Sequence, residues 1–154
     1  MAPNTKNSHR QQSGFTLVEL GVVIAVILTL MTVALVGRGM LQSARVASAA
    51  QLTDTMRKAA RACAERRGQA NFTGCGLGVL QNPPYNLLPN PVDNPFDSLL
   101  AQPGLVPTGV GNTFIQISIT TANAAQRLDL MAQLNKMRAG TVASMGPVVI
   151  LTTR

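Results

Sequence analysis

The sequence predicts an α+β protein: a long N-terminal α-helix, half transmembrane and half amphipathic, packed on a small antiparallel sheet domain that ends in strand, helix, strand. Three observations predict it. Residues 15–36 are apolar or small apart from Glu19, and small and apolar residues then recur three or four apart as far as Cys63. Near the C-terminus an alternating run, an amphipathic run and a second apolar run follow one another.

The first element is the run FTLVELGVVIAVILTLMTVALV, residues 15–36. At 1.5 Å per residue it makes a helix of about 33 Å, enough to cross a hydrocarbon layer. A polar leader carrying Lys6 and Arg10 precedes it and meets it at Gly14. Two kinds of processing fit such a segment. A secretory signal peptide is cut at small residues after its apolar region, but here an A-x-A site comes only well downstream, in GRGMLQSARVASAA. The other kind keeps the apolar run and removes the leader.

Gly14, Phe15, Thr16, Leu17, Val18, Glu19 and Leu20 carry a specific pattern: glycine, phenylalanine, then a glutamate four residues later within an apolar helix. This resembles the processing site of type IV pilins and of the pseudopilins of type II secretion. The resemblance covers the first quarter of the chain. It implies a cleaved leader (residues 1–14), a transmembrane and polymerisation helix (15–36), and an amphipathic helix half with a globular domain (37–154). It also implies that a prepilin peptidase cuts between Gly14 and Phe15 and that the new amine of Phe15 is N-methylated. The subunit then sits as a single span in the bacterial inner membrane, N-terminus cytoplasmic. An inner-membrane assembly platform builds it, with identical or related subunits, into a periplasmic or extracellular filament. Lys6 and Arg10 suit that orientation, whereas Arg38 and Arg45 oppose it, so orientation rests on the resemblance.

Glu19 is the assembly residue on this reading. A carboxylate near the bilayer centre costs roughly 2.5–3.5 kcal/mol on insertion scales, so it needs a partner there. The Phe15 amine is one turn away, and in a filament that amine can pair with Glu19 of a neighbouring subunit.

The helical pattern continues after Gly37. Leu41, Ala44, Ser48, Leu52, Met56, Ala59 and Cys63 form a narrow stripe, with Asp54–Lys58 and Arg61–Glu65 spaced as i,i+4 ion pairs. Arg66 and Arg67 complement the negative end of the helix dipole and Gly68 is the C-cap, so one helix is expected from Phe15 to about Arg67. Gly37 and Gly39 mark where bending is cheapest. Many major pilins have a proline where this chain has Val36.

Seven prolines between Gly68 and Asn112 argue against long regular elements there. A strand near Leu77–Leu80 and a helical turn near Phe96–Ala101 are expected within a loop draped over the surface. Cys63 lies on the buried stripe, and Cys75, between Gly74 and Gly76, can turn back towards it. In an exported domain these two cysteines are expected to form a disulfide, the alternative being two separate thiols. Two sulfurs without histidine partners do not make a zinc site. The triplet Asn71, Phe72, Thr73 matches N-x-T, a pattern that short sequences produce by chance.

Thr113–Thr121 alternates, with Ile115, Ile117 and Ile119 on one face, as a half-buried strand does. Asn123 caps a helix to about Arg138 with apolar face Leu128, Met131, Leu134 and Met137, ended by Gly140. Gly146 and Pro147 then introduce a strand over Val148–Thr152. This order is similar to the type IVb branch of pilins, while the short leader and Phe15 resemble type IVa.

Composition narrows the function. Aromatic content is 3% and tryptophan is absent, so the core must be aliphatic. Six carboxylates and a single histidine, His9 in the leader, leave little for acid–base chemistry. No phosphate-cradling or activated-nucleophile motif is present either, so no enzyme, cofactor or metal is expected. The favoured function is a structural subunit of a type IV pilus filament; the alternative is a pseudopilin of a type II secretion system. The net charge of +7 falls by two with the leader and stays basic. Arg57, Lys58, Arg61, Arg66 and Arg67 form a basic cluster that raises a reading of another class, a DNA-binding minor pilin. No aromatic residues interleave with the cluster for base stacking, and it can equally face neighbouring subunits. A single-span anchor that never polymerises is a third reading.

Overall fold

The structure, a computed structural model, describes residues 15–154; Gly14 and the rest of the leader, with Lys6, His9 and Arg10, lie outside the described residues. Helix α1 runs Leu17–Arg66, α2 Leu77–Gln81, β1 Gly104–Thr108, β2 Phe114–Thr120, α3 Ala124–Lys136, β3 Thr141–Met145 and β4 Val148–Thr153. A short 3-10 turn at Val110–Asn112 joins β1 to β2. The chain divides into two units, one ending at Gly39 and one from Met40 to Arg154.

In the first unit every described residue from Phe15 to Val36 is exposed. The helical assignment is continuous through Gly37 and Gly39.

The second unit is α+β. Its four strands form one antiparallel sheet in the order β1-β2-β4-β3. The alternation read in β2 holds: Ile115, Ile117 and Ile119 are buried while Gln116, Ser118 and Thr120 are half-buried. Leu105, Val149 and Leu151 join the isoleucines in burial; Met56, Ala59, Ala60, Cys63 and Ala64 of α1 pack with Leu105, Ile115, Ile117 and Leu151, and Val46, Ala49 and Ala50 pack with Ile119 and Val149. Five alanines and a cysteine among α1's buried positions let the helix backbone come close to the strands, so the larger isoleucine, valine and leucine side chains of the sheet supply the volume there.

Both predicted helix ends are capped, one of them differently from expectation. At the end of α1, Gly68 takes φ 64°. Its N–H donates to Glu65 O (2.9 Å) and that of Gln69 to Ala64 O (3.0 Å), a complete Schellman motif. At the end of α3 the left-handed residue is Arg138 (φ 49°), two positions before Gly140. Arg138 N–H bonds Asn135 O at 3.1 Å and Ala139 N–H bonds Leu134 O at 3.5 Å, which seats Ala139 in the core. Gly140 is required for a different reason: a Cβ there would collide with the main-chain oxygen of Thr152. At the head of α3 the Asn123 side chain accepts from Gln126 N (2.9 Å), and Gln126 Oε1 accepts from Ala122 N (3.0 Å).

Several expectations are corrected. Of the expected α3 face Leu134 is buried and Met131 is half-buried against the core, but Gln126 and Leu130 complete it in place of Leu128 and Met137. Leu128 is 63% and Met137 44% exposed, because the reciprocal cap turns Gln126 inward and spacing by fours sets the face. The α1 stripe is right from Met56 onwards; before that it is Val46, Ala49, Ala50 and Thr53, with Leu41, Ala44 and Ser48 exposed and Leu52 half-buried. Residues 77–81 form a short helix rather than a strand, opened by Val79 N and Leu80 N donating to Gly76 O. Phe96–Ala101 holds one turn, Leu100 N to Asp97 O at 3.1 Å, in place of a helical turn.

The proline-rich loop is anchored as well as draped. Leu88, Val92, Phe96 and Pro103 are buried, and Asn94 Nδ2 donates to Ala101 O (3.0 Å) and Thr120 O (2.9 Å) while Oδ1 accepts from Phe96 N (3.0 Å). A buried amide used this fully fixes the loop path without leaving a polar atom unpaired. Asn71 Oδ1 accepts from Thr73 N (3.2 Å), so the N-x-T triplet is a local turn.

Candidate processing and assembly site

The head of α1 is built by Thr16. Its carbonyl accepts the first intrahelical bond, from Leu20 N at 3.2 Å, and its hydroxyl accepts from Glu19 N at 3.3 Å. Glu19 answers in the other direction: Oε2 accepts from the Thr16 main-chain N–H and from the Thr16 hydroxyl, both at 3.0 Å. Thr16 is the N-cap and Glu19 the third helical residue, so the pair is a capping box that satisfies two helix-end donors reciprocally. Sequence reasoning singled out Glu19 for its charge and missed Thr16. The signal was present, since T-x-x-E before an apolar run is the sequence form of that box.

Phe15 stands immediately outside the cap and is 87% exposed. Carbonyl groups within the run absorb its hydroxyls: Thr29 Oγ1 donates to Val26 O (2.8 Å) and Thr32 Oγ1 to Thr29 O (2.8 Å). The run therefore carries no unpaired side-chain hydroxyl that would oppose an apolar environment. Its length and composition are those of a membrane-crossing helix, and its apolar surface is exposed all round. A helix apolar on every side has its solvent in lipid or in other helices, not in water.

Cys63 and Cys75 are joined in a disulfide, with Cα atoms 6.0 Å apart, and both are fully buried. The bridge ties the last turn of α1 to the start of the loop that Phe72 and Cys75 anchor in the core.

The basic cluster is dispersed. Arg57 donates from Nη2 to Asp54 Oδ1 (2.6 Å) and Lys58 Nζ meets Asp54 Oδ2 (2.7 Å), so two cations share one carboxylate. The Lys58 hydrogen bond, with help from Arg57 and against partial burial, holds the Asp54 carboxyl below the usual aspartate value. Arg61 does not pair with Glu65; its Nη2 donates to the main-chain oxygen of Arg154 at 2.6 Å. Arg66, the last residue of α1, and Arg67 just beyond it are exposed, and the Arg67 guanidinium lies across Gly74. The structure thus brings Arg57 and Lys58 together but not the five as one groove. Among the described residues, no group of three His, Cys, Asp or Glu side chains is placed to hold a metal ion.

No curated protein and no solved structure matches this chain. A family model does match, and it covers residues 9–35, the leader's end and the apolar run: the prokaryotic N-terminal methylation motif. The match falls on Gly14, Phe15, Thr16 and Glu19 together, and it implies processing by a prepilin peptidase and assembly with other pilin subunits. By this stretch the chain carries the signature of the type IV pilins and pseudopilins.

Proposed function

We propose that the protein is a structural subunit of a type IV pilus filament. On this reading prepilin peptidase cuts after Gly14, Phe15 becomes the N-methylated terminus, and residues 15–36 anchor the subunit in the inner membrane until it is assembled. The observation that carries the proposal is the methylation motif over residues 9–35. The exposed apolar surface of the run supports it, since the same surface that dissolves in lipid can pack against identical helices in a filament core.

In such a core Glu19 has a role beyond its cap. Its charge and that of the Phe15 amine are both costly in an apolar interior, and bringing one subunit's carboxylate to a neighbour's amine removes both costs and sets the axial register. Residues 37–154 form the domain displayed around that core.

The test is mass spectrometry of the protein from a host that has the peptidase, beside electron microscopy of the sheared fraction. A methylated Phe15 terminus and filaments containing this chain are expected. An intact leader in that host overturns the processing step, and a processed subunit that never leaves the membrane overturns polymerisation. The pseudopilin alternative shares this N-terminal chemistry, and neighbouring genes separate the two: a retraction ATPase favours a pilus, secretion-system components a pseudopilin. Nucleic-acid binding gains no support from the basic cluster, whose members are spread between Asp54, the main-chain oxygen of Arg154 and the end of α1 rather than gathered in one groove.

A further inference from the structure

A cavity of about 250 Å³ opens in the second unit, lined by Thr53, Asp54 and Arg57 of α1, Met137 and Ala139 after α3, and Leu151 of β4. Its walls are apolar on one side and carry the Asp54–Arg57 pair on the other, and the same carboxylate also holds Lys58. Asp54 neutralises only one of the two cations it touches, which leaves one positive charge beside the cavity. The cavity therefore suits an occupant with an apolar side chain and an acceptor or carboxylate beside it.

The loop tip at Asp97–Leu100 has that composition. Leu99 is 92% exposed. Its N–H donates to Asp97 Oδ1 (2.9 Å), and Leu100 N donates to Asp97 O (3.1 Å), which sets the turn. Phe96 is in the core and Leu100 packs against it, so the tip is held from both sides. A leucine presented on a tip already ordered loses little freedom on docking. Charge makes the choice between tips. Val110 is 94% exposed, but glycines flank it and no carboxylate is near in sequence. Of the chain's six carboxylates, Asp54 is paired and Asp129 accepts from Gln42, whereas Asp93 and Asp97 are both exposed on the loop that carries Leu99.

We propose that the Asp97–Leu100 tip of one subunit docks into this cavity of a second copy, Leu99 entering beside Met137, Ala139 and Leu151 and Asp97 facing Arg57 and Lys58. The inference rests on the filament reading above. Space is sufficient, since a cavity of about 150 Å³ accepts benzene. Tip and cavity are different patches of one surface, so the contact is heterologous and can repeat from copy to copy without closing on itself, as a helical filament requires.

The experiment uses the full chain in its host. Wild-type sheared filaments come first, and their absence overturns the filament reading and this contact with it. Where filaments form, the double variant Leu99→Cys with Met137→Cys is oxidised in sheared filaments and run without reductant. A ladder of reducible multimers is expected, absent from each single variant and from Val110→Cys with Met137→Cys. Filaments of the double variant that give no ladder, or an equal ladder from the Val110 pair, overturn the contact. Leu99→Ala decides the matter where the double variant does not assemble: membrane-bound subunit stays at the wild-type level and filament yield falls several-fold, whereas wild-type yield overturns the proposal.

Discussion

Thr16 and Glu19 close on one another at the head of α1, the carboxylate accepting from both the main-chain N–H and the hydroxyl of the threonine at 3.0 Å. Glu19 thus has two separable duties, one as a capping acceptor and one as a charge.

Glutamine at the same position keeps the capping geometry and removes the charge, while leucine removes both. If pairing with a neighbour's Phe15 amine drives assembly, Glu19→Gln and Glu19→Leu both give processed, membrane-inserted subunit and little filament. If capping is what matters, Glu19→Gln assembles like wild type. Sheared filament yield set beside membrane-bound subunit level reads the difference, and wild-type yield from both variants would show that Glu19 does not direct assembly.

Gly14 is expected to matter through its lack of a side chain. A protease cleft at the membrane surface must admit the backbone on both sides of the scissile bond, and a branched side chain at the cleavage residue obstructs it. Gly14→Leu should leave a full-length membrane precursor, visible as a heavier band and an intact N-terminus. A normally processed terminus in this variant would contradict the assigned site.

The elements legible in the sequence are those in which one physical pattern acts alone. Alternating isoleucines gave β2, Asn123 gave the start of α3, Gly68 gave the end of α1, and length with apolarity gave the N-terminal run. Strand β1 was hidden because Pro107 reads as a breaker; it is tolerated there because β1 is an edge strand, where a missing N–H leaves no ladder partner unsatisfied. Strand β3 was hidden because both its faces are largely open, Val142 alone being half-buried, so no alternation marks it. The paths of Val92 and Phe96 into the core depend on the Asn94 hydrogen bonds, which reach residues far away in the chain. At the candidate site, charge drew attention to Glu19 and away from the uncharged Thr16 that holds it.

The triad of Asp54, Arg57 and Lys58 makes stability depend on pH. Asp54 titrates below the usual aspartate value because Lys58, and then Arg57, favour its charged form. A carboxyl depressed in the folded state contributes stability above its unfolded value of about 3.9, and that contribution is lost as pH falls through the lower folded value. The side chain is a third exposed, which limits the size of the effect. Asp54→Asn should cost about 0.5–1 kcal/mol at pH 7 and nothing relative to wild type at a pH below both the unfolded and the folded value of Asp54. Thermal or denaturant unfolding of the full chain in detergent at the two pH values checks this, and a difference that persists unchanged at low pH would rule out the charge as its source.

The Cys63–Cys75 bridge closes a short loop, 12 residues in sequence separation, at the point where α1 hands over to the proline-rich connection. Cross-linking restricts the unfolded chain, and for a loop of this length the effect is on the order of 3 kcal/mol. Both cysteines are buried in one cluster with Met56, Ala60 and Ile115, so a serine in place of either also buries a hydroxyl in an aliphatic core. Cys63→Ser should therefore destabilise the domain by about 3 kcal/mol or slightly more, and Cys63→Ala with Cys75→Ala by somewhat less, because no hydroxyl is then buried. The apolar run is untouched, so the fraction of protein in the membrane should not change while protease resistance of residues 40–154 falls. In unreduced exported wild type neither thiol should take up an alkylating agent. Labelling of both, or wild-type protease resistance in Cys63→Ser, would remove the bridge from the account of what holds the end of α1 to its loop.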